Sequence, residues 1–477
     1  GTVVKLYHSA TGQIVVAKDA PVSGADGAIT LDAFSGNVPA ADALRFKYVA
    51  AGGVFQVREA DLPRLPQLHT QQLVLVQENA AGQVQNASTA QIAGALDDLY
   101  SAAAEVNDYG ATVKNGRTQF KLWAPTAQAV QVIVTAPSSN PFLSRSQTVD
   151  LQRDPATGAW SASLAGEFNG RSYRYAVTVF VRGVGLVRSL VTDPYSLALT
   201  LGSQQSVVAD LQSASFKPAG WDASQPPATV QATPDMSIYE LHVRDFSVND
   251  ASVPADKRGK YLAFAEGNSN GMKHLRALAQ SGLTDVHLLP VFDIASVPEK
   301  GCVTPNPSGS ADGEAQQALV SATAGSDCFN WGYDPYHFTA PEGSYASSVA
   351  DPAARVVEFR RMVQALNAAG LRVGMDILQP HQCLGPEQRL GVGQGGARLL
   401  PPPERQRRHR ALHLLREHRG REPHDGQADD RLGHRLGARL SHQLAALRHH
   451  GAPPALGDGG SQGRRRTRQR PPGADPR

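Results

Sequence analysis

The amino-acid composition changes abruptly near residue 377, and this change limits which part of the chain can form a packed core. Lys300 is the last lysine, Phe359 the last aromatic residue and Ile377 the last isoleucine. The residues beyond Ile377 contain 19 Arg against 9 Asp plus Glu, a charge of about +10, whereas the whole 477-residue chain carries +3. Residues 1–377 are therefore acidic, near −7, and the basic character belongs to the final segment.

The length of the chain bounds its organisation. At about 150 residues per domain, a chain of this size predicts about three domains, and 41% hydrophobic residues indicate that most of it is globular. No apolar run reaches the ~18 residues of a membrane-spanning helix. No charged-then-apolar start precedes Gly1, so we expect a signal peptide to be absent or already removed.

Residues 378–477 contain no Ile, Phe, Trp or Tyr and are rich in Arg, Gly and Pro. Such a segment cannot bury enough apolar surface to offset about 1–2 kcal/mol of backbone entropy per residue, so we predict that it is disordered. The rival interpretation is nucleic-acid binding, with phosphate contacts from Arg464–Arg470. Without aromatic residues or a reader motif, only non-specific binding of polyanions is expected.

The first two regions are predicted to be β-rich. Residues 1–105 carry short β-like runs followed by a helical, Ala-rich stretch, and the runs are Val3–Tyr7, Gln13–Val16, Leu44–Val49 and Leu73–Gln77. In residues 106–222 apolar residues alternate with a period of two, as at Val130, Val132 and Val134, which predicts a small β-sandwich. The Pro-rich residues 223–234 are a plausible linker.

From residue 235 the pattern becomes alternating strand and helix. The predicted strands are Ser237–Ser247, Asp285–Asp293 and Leu371–Ile377, and a helix is predicted at Gly271–Gly282. A second helix is predicted to begin after the capping residue Asp351 and to end at Gly370. Strand–helix alternation implies parallel strands, and both a (β/α)8 barrel and a doubly wound sheet fit it.

Several motifs carry a family resemblance. Tyr239–Ser247, Gly282–Asp293 and Asn330–Ser347 resemble, in order and spacing, segments of the pullulanase-type α-1,6-glucosidases. Gly116–Val134 resembles the starch-binding-type β-sandwich that precedes the barrel of those enzymes, and residues 1–105 resemble their N-terminal domain. The resemblance implies that residues 235–377 form the first part, about three strands, of a (β/α)8 barrel.

The resemblance also implies a chemistry. The family cleaves α-1,6 links in branched α-glucans with retention, through two carboxylates about 5 Å apart, and its nucleophile, acid and third carboxylate follow the fourth, fifth and seventh strands. Only three barrel strands are recognisable here, so no catalytic carboxylate is expected in frame. On the substrate side, the family implies that Tyr333 stacks on the sugar, Trp331 and Asp334 flank it, Asp376 follows the third strand and His287 lines the cleft edge.

The cysteines bear on localisation. Cys302 and Cys328 bracket an insertion before the sugar-binding motif; they either form a disulfide, which suits an exported enzyme, or are free thiols. With the resemblance, the pair favours a secreted or cell-surface protein. The scattered histidines make no metal site, so no metal or cofactor is identifiable, although the family leaves calcium open. We predict a monomer whose partner is a branched α-glucan.

A reading-frame change would explain the composition break. The family calls for roughly Y-N-H-T-N-A soon after Asp376, where this chain has Leu378–Cys383. The codons CTA CAA CCA CAC CAA TGC encode that segment, and without their first nucleotide they encode Y-N-H-T-N-A. We predict that the gene contains this second reading, with the family nucleophile hidden under the codons of residues 447–449. Gene sequencing tests this, and codons that lack the second reading would sink it.

Three functional interpretations follow. The first is a secreted pullulanase-type enzyme that is damaged after about residue 377 and inactive as written. The second is a non-catalytic α-glucan-binding protein, for which Trp123 and Trp160 are the aromatic residues to test. The third is a glycogen-branching or isoamylase-type relative. Since three strands cannot close a barrel, we also expect the apolar face of the second helix, around Phe359 and Val363, to lack part of its covering surface.

Overall fold

The computed structural model describes residues 2–45, 52–90, 92–136, 145–310 and 312–377. The predictions made for residues 378–477, namely disorder, polyanion binding and a hidden nucleophile, lie outside the described residues.

The N-terminal region is built on a five-stranded antiparallel sheet with the order β3-β2-β1-β4-β5. Its strands are β1 (Val3–Ser9), β2 (Gly27–Ala33), β3 (Phe55–Val57), β4 (Gln72–Glu78) and β5 (Val84–Thr89). Short helices accompany it: α1 (Ala40–Arg45), α2 (Leu65–Leu68) and α3 (Ala93–Leu99). The sheet buries Val74 and Val76 on one side and Ile29 and Leu73 on the other.

One strand predicted in this region is wrong, and another lies mostly outside the described residues. Gln13–Val16 makes only one isolated bridge, between Val15 and Ser23, and Val15 is 61% exposed. A run of apolar residues is not enough for a strand when a neighbouring segment pairs with only one of them. The predicted Leu44–Val49 strand begins inside helix α1, and its remainder lies outside the described residues.

The second region consists of two antiparallel sheets. One has the order β10-β11-β7-β6 and the other β14-β15-β12-β8-β9, with β13 also pairing with β12. The strands are β6 (Gly110–Lys114), β7 (Arg117–Trp123), β8 (Ala127–Thr135), β9 (Ser146–Asp150), β10 (Gln152–Arg153), β11 (Ala159–Ala165), β12 (Ser172–Val181), β13 (Gly185–Val191), β14 (Ala198–Leu199) and β15 (Ser206–Val207). The predicted alternation is confirmed, because Val130, Val132 and Val134 are all buried.

The third region contains three parallel strands in the order β16-β17-β20. Its elements are β16 (Ile238–Leu241), α4 (Asn270–Gln280), β17 (Asp285–Leu288), β18 (Phe292–Ile294), α5 (Ala315–Thr323), β19 (Pro335–Pro341), α6 (Pro352–Ala368) and β20 (Arg372–Met375). Strands β18 and β19 form a separate antiparallel pair.

The predicted strands of this region are longer than the observed ones. The chain turns directly after Leu241, where Phe246 N donates to His242 O at 3.0 Å. The predicted strand Asp285–Asp293 is two strands, since pairing stops at Leu288 and resumes at Phe292 in a different sheet. Pro290 lies between them and has no N–H for a sheet ladder.

Helix α6 begins as predicted and packs differently from what was expected. Asp351 Oδ1 accepts a hydrogen bond from Ala353 N at 2.9 Å, and Pro352 opens the helix. The expectation of an incompletely covered apolar face is wrong, because Val356, Phe359, Val363 and Leu366 are all buried. Phe359 meets the ring of Tyr261 edge to face at 5.7 Å, and Val356 joins a cluster with Phe216 and other residues near the end of the sandwich.

The parallel sheet therefore has one packed face and one open face. Val286 and Leu288 of β17 point into a core shared with α4 and α6. On the opposite face, Glu240, His287 and Gly374 lie side by side across β16, β17 and β20. None of the described residues forms a helix long and apolar enough to cross a membrane.

Candidate functional site

The open face ends in a contact between two of the residues predicted to bind sugar. Asp376 follows β20, and its backbone N donates to Leu288 O at 2.8 Å. Tyr333 lies just before β19, and its hydroxyl donates to Asp376 Oδ2 at 3.0 Å. Two residues 43 positions apart thus meet at the carboxyl edge of the parallel sheet, where binding sites in parallel α/β folds are commonly found.

The electrostatics at Tyr333 keep its hydroxyl a donor. Partial desolvation, the hydrogen bond to Asp376 and the nearby charge of Glu240 raise the pKa of Tyr333 to about 12. The phenol is therefore protonated at neutral pH. Its side chain is still 36% exposed, so a ring face is accessible to the apolar face of a sugar.

Residues 329–334, which we call the aromatic loop, carry Tyr333 together with Phe329 and Trp331. Trp331 is 62% exposed, the largest exposure among the described aromatic side chains. Two hydrogen bonds fix the loop at Asn330: its Nδ2 donates to Ser296 Oγ at 2.6 Å, and its backbone O accepts from His242 Nε2 at 2.8 Å. An exposed ring on an anchored loop can present a flat apolar surface at little entropic cost.

Gly332 is required where the aromatic loop passes over the sheet. Its φ is +91°, and a Cβ there would lie 2.5 Å from the carbonyl oxygen of Pro290. Any side chain would push the loop away from residue 290 and separate Tyr333 from Asp376.

The structure places the two remaining predicted residues at different depths. Asp334 is partly buried, and its backbone carbonyl oxygen accepts from Ala295 N at 2.9 Å, which ties the aromatic loop to the end of β18. His287 is half-buried on the open face, and a Cβ on Gly374 would lie 2.2 Å from its ring. The absence of a side chain at Gly374 therefore leaves space for the His287 imidazole. The sugar contacts of Asp334 and His287 stay predictions.

A buried charged cluster was missed by the sequence reasoning. The side chains of Asp293, Glu299, His337, Glu342 and Arg355 are each less than a tenth exposed and meet between the sandwich and the open sheet. Burial and the nearby carboxylates of Asp293 and Glu299 raise the pKa of Glu342 to about 8. The sequence offered one signal for this cluster, namely Arg355 beside Val356 on the apolar face of α6. A buried arginine needs buried acidic partners.

The cysteine pair forms a disulfide, with an S–S distance of 2.10 Å and a Cα–Cα distance of 4.9 Å. It closes the insertion that contains α5, and Val303 N donates to Ser326 O at 2.7 Å beside it. The insertion ends directly before the aromatic loop. A disulfide is compatible with an extracellular location.

Neither Trp123 nor Trp160, the tryptophans considered for glucan binding, is an exposed binding platform. Trp160 is buried, and its indole N–H donates to Ala124 O at 2.9 Å. Trp123 is half-buried, and its indole N–H donates to Thr157 O at 2.8 Å. Within the described part of the chain, no group of three or more His, Cys, Asp or Glu side chains is placed to hold a metal ion.

Two domain families match the N-terminal half of the chain. Residues 1–98 match the Pullulanase N2 domain. Residues 108–196 match carbohydrate-binding module 48, the isoamylase N-terminal domain.

Curated relatives extend the similarity. The pullulanase of Klebsiella pneumoniae is 35% identical over 435 residues, which cover 82% of this chain and 39% of that protein. Pullulanase 1, chloroplastic, of Arabidopsis thaliana is 36% identical over 397 residues, covering 81% of this chain and 40% of that protein. The chain thus spans about two fifths of the length of these relatives.

Solved structures agree with these matches. The structure of Klebsiella pneumoniae pullulanase complexed with maltotriose superposes with a TM-score of 0.70 at 34% identity, covering 78% of this chain and 39% of that chain. A ligand-free structure from the same organism gives a TM-score of 0.71 at 34% identity.

Proposed function

Since the chain belongs to the pullulanase family, a family of α-glucan-debranching glycoside hydrolases, we propose that its open sheet face binds branched α-glucans. The observation that carries the proposal is the hydrogen bond between Tyr333 and Asp376 beside the exposed ring of Trp331. An aromatic face, a carboxylate and a fixed phenol supply the stacking and hydrogen-bonding groups that a pyranose needs. A relative of similar fold has been solved with maltotriose.

The fold proposal follows the same reasoning. Residues 235–377 are the first part of a (β/α)8 barrel, preceded by the N-terminal β-rich domain (1–105), the starch-binding-type sandwich (106–222) and a linker (223–234). Strands β16, β17 and β20 support it, because they are parallel and are joined through α4 and α6.

The proposed chemistry of this chain is binding without hydrolysis. Tyr333 stacks under the sugar, Asp376 accepts from its hydroxyls, and Trp331, Asp334 and His287 border the site. The intact family uses an acid and a nucleophile on later strands, and the proposed frame change removes both from this chain. We propose that the protein is secreted or exposed at the cell surface, which the disulfide supports.

Replacing Tyr333 by Ala is expected to weaken maltotriose binding by roughly tenfold, or about 1.4 kcal/mol, because the stacking ring is lost. Titration calorimetry on the full chain measures the dissociation constant. Tyr239→Ala is the matched control, since Tyr239 is similarly exposed at 38% but lies near His274 of α4. Equal losses in both variants, or none in Tyr333→Ala, would argue against the site.

A sandwich-based binding protein is less well supported. Trp123 and Trp160 both use their indole N–H groups within the sandwich, and Trp160 is buried. If Tyr333→Ala leaves maltotriose binding intact, that alternative replaces the one proposed here.

A further inference from the structure

The aromatic loop is built on the strand β18 and the residues around it. Gly332 passes over Pro290, Asn330 bonds to Ser296, and the carbonyl of Asp334 accepts from Ala295 N. These three contacts flank Asp293, the middle residue of β18. Asp293 therefore lies between the positions that support the aromatic loop.

Asp293 is held by a set of buried hydrogen bonds. Its Oδ2 accepts from His337 Nδ1 at 2.7 Å, and Ser203 Oγ lies 2.7 Å from Oδ1 and 2.9 Å from Oδ2. Arg355 Nη1 approaches Oδ1 at 3.5 Å. His337 is the cross-strand neighbour of Asp293 in β19, so this carboxylate joins the two strands as well as their surroundings.

Several groups around Asp293, His337 and Glu299 come from the end of the sandwich, outside the β18–β19 pair. Thr192 Oγ1 lies 2.8 Å from His337 Nε2, and Gly202 N donates to Glu299 Oε2 at 2.5 Å. Ser203 is buried and its backbone φ is +54°, a conformation that residues other than glycine rarely adopt. A strained residue that persists with its hydroxyl on Asp293 indicates a constraint imposed by the surroundings.

We propose that Thr192 and Ser203 are positioning residues that fix the aromatic loop for glucan binding by holding the Asp293–His337 pair. This inference rests on the proposed function of the aromatic loop. The sandwich then contributes to the site without touching sugar, because the hydroxyl groups of Thr192 and Ser203 hold His337 of β19 and Asp293 of β18. A half-buried hydroxyl bonded to the buried His337 imidazole suits this task, because its loss removes a hydrogen-bond partner from a buried ring nitrogen.

The test compares Thr192→Val with Thr192→Ser in the full chain. Valine keeps the shape of threonine and removes the hydroxyl, whereas serine keeps the hydroxyl. We expect the valine variant to bind maltotriose about fivefold more weakly and to exchange the amide hydrogens of residues 329–334 several-fold faster in mass-spectrometric measurements. Serine is expected to restore both values to within twofold of the unaltered protein.

Arg360→Met is the matched control. Arg360 of α6 also contacts the end of the sandwich, but it bonds to Leu211 O and Phe216 O and not to the Asp293–His337 pair. It should lower the melting temperature without changing exchange in the aromatic loop. Faster loop exchange in Arg360→Met equal to that in Thr192→Val would overturn the proposal, since general loosening would then suffice. If the unaltered chain binds no maltotriose, the proposed function fails, and the exchange comparison still decides whether Thr192 positions the loop.

Discussion

No hydrolysis of pullulan or branched dextrin is expected from the 477-residue chain. Retaining cleavage needs an acid and a nucleophile about 5–5.5 Å apart across the scissile bond, and the frame change proposed near Ile377 removes both. Tyr333 and Asp376, which are hydrogen-bonded at 3.0 Å, are proposed to bind sugar, but a phenol and one carboxylate do not perform the double displacement. Loss of such groups lowers rates by several orders of magnitude.

The measurement is release of reducing sugar from pullulan at several concentrations of purified protein. Full-length pullulanase of Klebsiella pneumoniae, assayed under the same conditions, is the positive control. Maltotriose release by the present chain, proportional to its concentration and abolished by Asp376→Asn, would refute both the frame change and the inactivity.

Replacing Arg355 by Met is expected to destabilise the protein by about 3–5 kcal/mol, because it leaves buried carboxylates without their cation. Arg355 Nη2 donates to Glu299 Oε1 at 2.6 Å, and Nη1 donates to Pro341 O at 3.3 Å. The side chain is almost fully buried, so water cannot take over these contacts.

Urea unfolding of the full chain measures this loss. The measurement is best made at pH 6, where Glu342 stays protonated, because burial and the nearby carboxylates of Asp293 and Glu299 raise its pKa to about 8. Arg361→Met is the control, because Arg361 neighbours Arg360 on the same helix and is exposed; it should change stability by less than about 0.5 kcal/mol. Similar losses for both arginines would contradict a specific role for the buried charge.

Local rules were sufficient for much of the chain. Alternation located β8, with Val130, Val132 and Val134 in its core, because side chains of a strand point to opposite faces in turn. The cap Asp351 located the start of α6, because an orphan backbone N–H needs a nearby acceptor. The family motifs pointed to Tyr333 and Asp376 as candidate sugar-binding residues by residue type and order.

Other features depended on partners distant in sequence. The strand predicted through Asp293 breaks at Pro290, because its second half pairs with β19 instead of extending the parallel sheet. The predicted strand at Gln13–Val16 did not form, because only Val15 pairs with a neighbouring segment, in a single bridge to Ser23. Pairing is a property of two segments, and one segment read alone does not contain it.

The amino-acid sequence by itself determined the β-rich start, the strand–helix alternation and the family of this protein, since these follow from periodicity, capping and motif order. Only the tertiary structure decided that Tyr333 donates to Asp376 and that Asp293 lies between His337 and Ser203. The reason is physical: a hydrogen bond between residues up to 90 positions apart forms only after packing has paid the entropy of closing the intervening loops.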